Sequence, residues 1–438
     1  MKLRSFPGGI HPPDNKAWSA HKAIIPCPIP VTLVIPLSQH IGAPAECCVA
    51  VGKRVAKGEV IGRAKGFVSV PVHASSSGEV IAVEPRLHPS GRPLPAVVIR
   101  TDGKDAGSDT GPKNDLNTLP VEELRDRIRD AGIVGMGGAT FPAHVKLNPP
   151  EGKKIDTLIL NGVECEPYLT ADHRLMLESP QRIVAGINLL KKVLGVDRAL
   201  IGIENNKPDA ITVMREACHG HGIEVIPLAV KYPQGAEKQL ILATTGREVP
   251  SGGLPMDVRV VVQNVGTAAA VAEALLDGRP LIERIVTVTG PGIAEPQNLR
   301  VRIGTPLSDL VEACGGLTGD PAKIIMGGPM MGATQLSLDI PVTRGTSGLL
   351  LFTEETLPLV PERPCIRCGR CVRACPAHLL PTTLATYARL DRIEDCESHH
   401  AMDCIECGCC TYVCPAAIPL VQLVRSAKGG ILARRRKV

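Results

Sequence analysis

Between residues 40 and 100 the apolar positions fall in short runs broken by glycine and proline. Runs at 49–51, 60–62, 68–72, 79–83 and 96–100 predict β-strands, with turns at Lys57-Gly58 and Ser77-Gly78. Past residue 120 the period lengthens. Val121, Leu124 and Ile128 share one face of a helix expected over 121–131. Strand and helix patterns then alternate: strands at 155–160, 199–203, 223–228 and 258–263, helices at 180–194, 207–219 and 267–276. Such alternation predicts a mostly parallel sheet covered by helices. From 285 to 352 the chain is β-rich with Gly/Pro punctuation and one short helix at 307–313, a small α+β module. A helical stretch at 382–393 then separates two cysteine-dense segments.

The expected division is an N-terminal β-rich region (1–102), a polar Gly/Asp/Lys-rich linker (103–120), an α/β domain (121–283), a β-rich module (284–356), a helical cysteine-bearing domain (357–424) and a basic tail (425–438). Length alone predicts two to four domains. Hydrophobic content of 44% and charged content of 21% are those of a folded globular protein. Aromatics are only 2%, so the cores must rest on Val, Ile, Leu and Ala. The most apolar stretch, 23–37, contains Pro26, Pro28, Pro30 and Pro36 and cannot form a spanning helix. Residues 1–9 carry two basic side chains with no apolar run after them, so a reducing, cytoplasmic setting is expected. The net charge of +5 is uneven, with six basic and no acidic residues from 425 to 438. That tail reads either as a solvated, disordered end or as a docking element for an anionic membrane face or acidic partner. Nucleic acid is not expected as a partner, because no aromatics interleave with the charges.

Cysteine spacing carries the sharpest chemistry. Of 16 cysteines, eight form two runs, Cys365, Cys368, Cys371, Cys375-Pro376 and Cys404, Cys407, Cys410, Cys414-Pro415. Both read C-x2-C-x2-C-x3-C-P, the ferredoxin run, in which the fourth cysteine reaches the other cluster. Two 4Fe-4S clusters are predicted, one on Cys365, Cys368, Cys371 and Cys414, the other on Cys404, Cys407, Cys410 and Cys375. A pair of zinc sites is the alternative, but zinc takes two knuckles set well apart. Cys27, Cys47, Cys48, Cys165, Cys218, Cys314, Cys396 and Cys409 are expected as mostly buried thiols. Cys409 adjoins Cys410 but breaks the spacing.

A second site is expected at strand ends of the α/β domain. The turn Gly135-Met136-Gly137-Gly138-Ala139-Thr140 precedes a short helix at 143–147 bearing Lys146, where backbone amides and a cation suit a phosphate. It differs from the Rossmann fingerprint and by itself is equally an ordinary tight turn. Asn161-Gly162-Val163-Glu164-Cys165-Glu166-Pro167-Tyr168 follows the strand at 155–160, and polar groups there face the ligand crevice. It reads alternatively as a solvated acidic loop. Asn264-Val265-Gly266-Thr267 follows the strand at 258–263, where Asn264 and Thr267 suit a ligand or a helix cap.

These segments carry resemblances. The Gly135–Lys146 loop, the Asn161–Pro167 segment and the Asn264–Thr267 segment are similar to the FMN-binding parts of the NADH-oxidising flavoprotein subunit of respiratory complex I. Val163 stands where that family has Asp, and Gly266 where it has Glu. The segment Val55-Ala56-Lys57-Gly58-Glu59-Val60-Ile61-Gly62 with Val72-His73-Ala74 resembles biotinyl/lipoyl-like barrel-sandwich domains, but the turn at 74–78 has no lysine to modify. With Phe6-Pro7-Gly8-Gly9-Ile10-His11-Pro12-Pro13 and the doubled cysteine run, nearly the whole chain resembles the RnfC/RsxC family, a component of the Rnf ion-translocating ferredoxin:NAD oxidoreductase complex. That resemblance implies an α/β multidomain chain: a barrel-sandwich β region, a Rossmann-like FMN-binding domain, a β-grasp (SLBB-type) module near 285–340 and an α-helical ferredoxin domain. It implies a translocase subunit that exchanges hydride between NAD(H) and FMN and passes single electrons through two 4Fe-4S clusters. It also implies a peripheral position on the cytoplasmic face of the inner membrane, integral-membrane and other subunits as partners, and ferredoxin as indirect redox partner. Gly135, Gly137, Gly138 and Ala139 are expected to shape the FMN cradle, with Lys146 on phosphate. Asn161, Glu164, Asn264 and Thr267 are expected to hold FMN, Glu166 to lie near the nicotinamide, and Gly235 and Glu237 to assist. Glu164, Glu166 and Lys146 are the candidate catalytic residues. Two other readings are a soluble cobalamin reductase-like flavoprotein of a microcompartment and a non-catalytic iron-sulfur scaffold.

Overall fold

The computed structural model describes residues 3–107, 116, 118–357 and 360–436. Its centre is a four-stranded, fully parallel sheet in the order Ile223–Leu228, Arg198–Glu204, Thr157–Asn161, Val260–Asn264. These strands read as continuous apolar runs because helices cover both faces. Leu158, Leu160, Ala199, Ile201 and Val261 point into one core with Ile183, Ile187, Val271 and Leu275 of the helices Pro180–Leu194 and Val265–Asp277. Ile159, Leu200, Val260 and Val262 point the other way, onto Leu240 and Ile241 of Glu237–Thr245. The two helices of the first face lie very close, since a Cβ on Gly186 would sit 1.9 Å from the Ala268 carbonyl oxygen. The register places Asn161 level with Asn264 at the carboxyl end of adjacent strands.

A six-stranded mixed sheet adjoins this domain, in the order Ile24–Pro26, Gln297–Arg302, Glu283–Thr289, Gly348–Thr353, Pro321–Met326, Ala333–Gln335. Its edge strand comes from the N-terminal segment and runs parallel to Gln297–Arg302. The rest of the N-terminal region forms two small sheets around one core of Leu33, Ile35, Ile61, Val72, Val80, Val97 and Ile99. The strand expected at 49–51 is a turn with Val51 exposed. The one expected at 68–72 is strand only at Val72–His73, because Val70 leaves the β core and packs into the α/β domain. Of the linker, Asp105 pairs with Lys57 at 2.6 Å and Arg302 at 2.9 Å, while 108–115 and 117 lie outside the described residues.

The cysteine-rich region is helical, as expected. The expected 382–393 helix divides into Pro381–Arg389 and Ile393–Ser398, with Asp391 between them in the left-handed region at φ 53°. The reading of 425–438 as a solvated tail is corrected. Helix Leu420–Arg435 runs through it and buries Val424, Ala427 and Ile431 against Leu384, Cys396 and Ala401. Its cations are paired: Arg425 and Lys428 with Glu406, Arg434 with Glu394, Arg435 with Glu397. Residues 437 and 438 lie outside the described residues. Among the described residues no helix is long and apolar enough to cross a membrane.

Candidate functional site

Three segments meet at the carboxyl end of the parallel sheet. Asn264 caps helix Val265–Asp277, its Oδ1 accepting from the Gly266 amide at 2.8 Å. Thr267 does not cap through its side chain. Its Oγ1 accepts from the Met136 amide at 2.9 Å and so fixes the glycine turn over the helix start. Gly137, Gly138 and Ala139 are exposed there, with Gly138 at φ +114° and nothing within 4 Å of where a Cβ would stand. Gly135 anchors the turn by donating its amide to the Phe141 carbonyl at 2.8 Å. Asn161 spans the crevice floor, donating Nδ2 to the Gly235 carbonyl at 2.8 Å and accepting the Val163 amide at 3.1 Å. Lys146 and Glu237 form an ion pair with each other at 2.6 Å, and Lys146 also donates to the Val262 carbonyl.

Glu164 adopts φ 48°, a left-handed geometry uncommon for a non-glycine residue. Its carboxylate accepts the amides of Asp172 at 2.7 Å and His173 at 3.1 Å, at the start of helix Ala171–Glu178. Asp172 is itself half-buried and accepts from Asn264 Nδ2 at 2.7 Å. Burial and the neighbouring Glu164 carboxylate push the Asp172 carboxyl well above its ordinary range. Beneath the loop lie two buried lysines that sequence reasoning missed. Lys16 donates to the carbonyls of Glu164 at 3.0 Å, Glu166 at 2.9 Å and Leu169. Lys207 donates to the Val163 carbonyl at 2.8 Å and pairs with Glu204 at 3.4 Å. Carbonyl acceptors leave no mark in a sequence. The only available signal is a lone lysine shortly after the Pro12-Pro13 turn.

Glu166 does not open toward the glycine turn. Its carboxylate accepts the amides of Met330 at 3.0 Å and Met331 at 2.8 Å, tying the α/β domain to the β-grasp loop. Burial pushes this carboxyl up to about 7, against the two amides and the Lys16 ammonium. The folded chain therefore holds this proton more tightly than the unfolded chain. Its contribution to stability falls as pH rises from about 4.5 to about 7 and is level above that. The loss is on the order of 3 kcal/mol at most. The melting temperature of the intact protein should decline between pH 5 and pH 8. Glu166→Gln should flatten part of that decline, and a decline of unchanged size would show that another group titrates.

The cysteine runs lie directly against this loop. Tyr232 is buried, and its hydroxyl donates to the Cys407 carbonyl at 2.9 Å. Gln239 Nε2 donates to the Pro376 carbonyl at 3.2 Å, and the Gly9 amide to the Ala374 carbonyl at 2.9 Å. A small, tight cavity is lined by Cys375, Cys404, Cys407 and Cys410 with apolar Leu379, Leu384 and Val424. The four thiols predicted from spacing for one cluster thus share one cavity. Cys409 lines it too, and its Sγ donates to the Tyr232 carbonyl at 3.8 Å. Cys371 and Cys414 meet in a neighbouring core with Ile418 and Leu420, while Cys365 and Cys368 are exposed. Both runs take the same turn: Arg367 and Glu406 at φ 54° and 58°, Gly369 and Gly408 at 69° and 75°. In each, the amide of that third residue donates to the first sulfur at 3.4 Å, from Arg367 to Cys365 and from Glu406 to Cys404.

These donor sets suit the groups the spacing predicts. Thiols around a largely apolar cavity, with backbone N–H groups aimed at sulfur, match an iron-sulfur cube. Exposed amides of a glycine turn beside a helix start at the carboxyl end of a parallel sheet match a phosphate-bearing planar ligand. Next to that crevice, buried Gln234 has both side-chain amide atoms without a partner among the described residues. The strand-end residues fit FMN as a frame, since Asn161, Glu164 and Asn264 already hold protein partners.

Four family models match in succession. They are the RnfC barrel sandwich hybrid domain over 4–104, the Nuo51 FMN-binding domain over 128–273, the SLBB domain over 285–334 and the 4Fe-4S dicluster domain over 364–418. The C component of the proton-translocating ferredoxin:NAD(+) oxidoreductase complex of Clostridium ljungdahlii is 50% identical over 97% of this chain and 94% of its own length. Its counterpart in the Na(+)-translocating complex of Acetobacterium woodii is 50% identical over 100% of this chain and 99% of its own. The C component of the ion-translocating oxidoreductase complex of Pseudomonas aeruginosa is 44% identical over the whole chain and 57% of its own length. With identity of this size over its full length, and all four domain types in order, the chain belongs to the RnfC family of Rnf ion-translocating ferredoxin:NAD oxidoreductase complexes.

Proposed function

We propose that the chain is the peripheral, nucleotide-facing electron-transfer subunit of such a complex, on the cytoplasmic face of the membrane, with integral-membrane subunits performing ion translocation. Bound FMN supplies the conversion between two-electron hydride exchange with NAD(H) and one-electron steps, and the 4Fe-4S clusters carry single electrons. Gly137, Gly138 and Ala139 offer amides to the flavin phosphate, and Asn161, Glu164, Asn264 and Thr267 hold the crevice walls in place. Lys146 serves phosphate only after exchanging its Glu237 partner, so the pair gates that contact. Glu166 sets the β-grasp loop against the crevice. The cavity of Cys375, Cys404, Cys407 and Cys410 is the inner cluster position, and Cys365, Cys368, Cys371 and Cys414 form the outer one.

The observation that carries this reading is the contact between the two sites. Tyr232 and Gln239, three and four residues from Gly235 in the crevice, reach the Cys407 and Pro376 carbonyls at the wall of the cysteine cavity. A scaffold that wires two partners without a nucleotide would not need that junction. Anaerobic reconstitution followed by NADH titration tests it, with flavin absorbance and cluster EPR recorded together. FMN near one per chain and NADH-dependent reduction of both cluster signals are expected. Clusters that stay oxidised, with FMN supplied, would move the chain to the scaffold reading.

A further inference from the structure

Two buried arginines from the β-grasp side stand behind the glycine turn. Arg284 lies in strand Glu283–Thr289 and is 5% exposed, and Arg344 shortly precedes strand Gly348–Thr353 and is 1% exposed. Arg284 Nη2 donates to the Met136 carbonyl at 3.5 Å, and its Nη1 donates to the Arg344 carbonyl. Met136 is thus held on both sides, its amide by Thr267 and its carbonyl by Arg284. Arg344 Nη2 donates to the Pro71 carbonyl at 2.8 Å and lies 2.7 Å from where a Cβ on Gly132 would stand. A Cβ on the next residue, Gly345, would stand 2.9 Å from Thr140 Cγ2 and 3.7 Å from the Gly138 carbonyl oxygen, so this segment touches the turn itself. Among the described residues no ion pair joins either guanidinium, and Arg344 Nε and Nη1 have no hydrogen-bond partner. Burial lowers Arg284 to about 10, against the field of Asp172, and Arg344 to about 9, so both stay cationic at neutral pH. Lys146, the half-exposed cation of the crevice, is already neutralised by Glu237.

We propose that Arg284 and Arg344 are positioning residues for the flavin phosphate, fixing the glycine turn from behind and supplying the buried positive charge that balances the phosphate while Lys146 stays with Glu237. The inference rests on the flavin reading of the crevice and names the part of the ligand that these residues serve. Packing alone does not explain them. An apolar side chain would fill the space between sheet and turn without the large desolvation cost of a guanidinium. Hydrogen bonding alone does not explain them either, since a neutral amide can donate to the Met136 carbonyl. A buried cation that lacks a carboxylate partner becomes favourable when an anion settles on the amides in front of it, because the intervening interior screens the attraction little. The same arginines keep those amides oriented before the ligand arrives, so binding needs no rearrangement of the turn.

The test compares FMN with riboflavin, which differs from it only by the phosphate. The full chain, carrying its clusters and freed of flavin, is titrated anaerobically with each, and flavin fluorescence is the readout. Wild type should prefer FMN by about a hundredfold or more, the worth of two charge-assisted hydrogen bonds. That ratio should change less than about twofold between about 50 and about 500 mM salt, because buried charges are screened little. Arg284→Gln should lower the ratio at least about tenfold. Arg284→Lys keeps the charge but not the fork and should keep most of the ratio. Lys323→Gln, an equal loss of charge at an exposed position of the same sheet, should leave it unchanged. Equal loss of both ligands in Arg284→Gln would make the arginine a structural prop only and overturn the proposal. So would a wild type that binds riboflavin as tightly as FMN, or a wild-type ratio that falls several-fold with salt, which would assign the phosphate to Lys146. The salt series needs no variant, so it decides even where Arg284→Gln fails to fold. A wild type that binds neither flavin would instead sink the flavin reading, and the inference with it.

Discussion

Replacing Cys407 with alanine is expected to remove one whole cluster, lowering iron from about eight to about four per chain. Replacing its neighbour Cys409 with serine should leave both clusters in place. The two thiols line the same cavity, so burial does not separate them. Backbone does. Cys404, Cys407 and Cys410 are presented by a turn that places Glu406 and Gly408 at positive φ, as Arg367 and Gly369 are placed in the other run. Cys409 opens the short helix Cys409–Tyr412, and its thiol donates to the Tyr232 carbonyl. The stronger form of the prediction concerns crossing. Cys375→Ala should erase the same EPR signal as Cys407→Ala, although it lies in the other run, because Cys375 lines the cavity of Cys404, Cys407 and Cys410. Cys414→Ala should erase the other signal. NADH-driven reduction of the outer cluster should then collapse in Cys375→Ala while flavin bleaching persists. Retention of the inner signal in Cys375→Ala, with loss of the outer one, would mean that each run holds its own cluster.

How far the sequence reaches follows from what each feature depends on. The parallel sheet is legible because strands buried on both faces must be apolar throughout, and helix Pro180–Leu194 is legible to the residue from its Pro start and Gly195 stop. The cysteine sets are legible because covalent geometry fixes their spacing. The 425–438 segment misleads because its charges dominate its composition, while only Ala427 and Ile431 mark the buried stripe beyond Val424. Glu166 is expected near a nucleotide, and the structure turns it onto two backbone amides of the β-grasp module, about 165 residues away in sequence. Backbone donors are the same at every position, so such a latch has no sequence signature. Lys16, Lys207 and Tyr232 escape for the same reason, since each finds its main partner among distant carbonyls.

Lys16 supports the second large prediction. Its ammonium is buried and holds the carbonyls of Glu164, Glu166 and Leu169 together, as a small cation would hold a loop of oxygens. Lys16→Met keeps the unbranched stem, one atom shorter, and leaves three carbonyls without this donor. Each costs about 1–3 kcal/mol if nothing replaces it, so the loop from Glu164 to Leu169 should lose its fixed shape. The Glu164 cap on helix Ala171–Glu178 and the Glu166 latch on Met330 both hang from that loop, so the flavin crevice and the β-grasp contact should loosen together. Flavin retained after gel filtration should drop at least about tenfold, the equivalent of about 1.4 kcal/mol in binding. Both clusters should survive, because no cysteine of either run bonds Lys16. Lys16→Arg should rescue poorly. A planar guanidinium is larger than the compact ammonium and spreads its donors in a fork, whereas the three carbonyls converge on one point. Full flavin occupancy in Lys16→Met would show that the loop is held by the cluster domain and the β-grasp module alone, and that the buried ammonium only fills space beneath it.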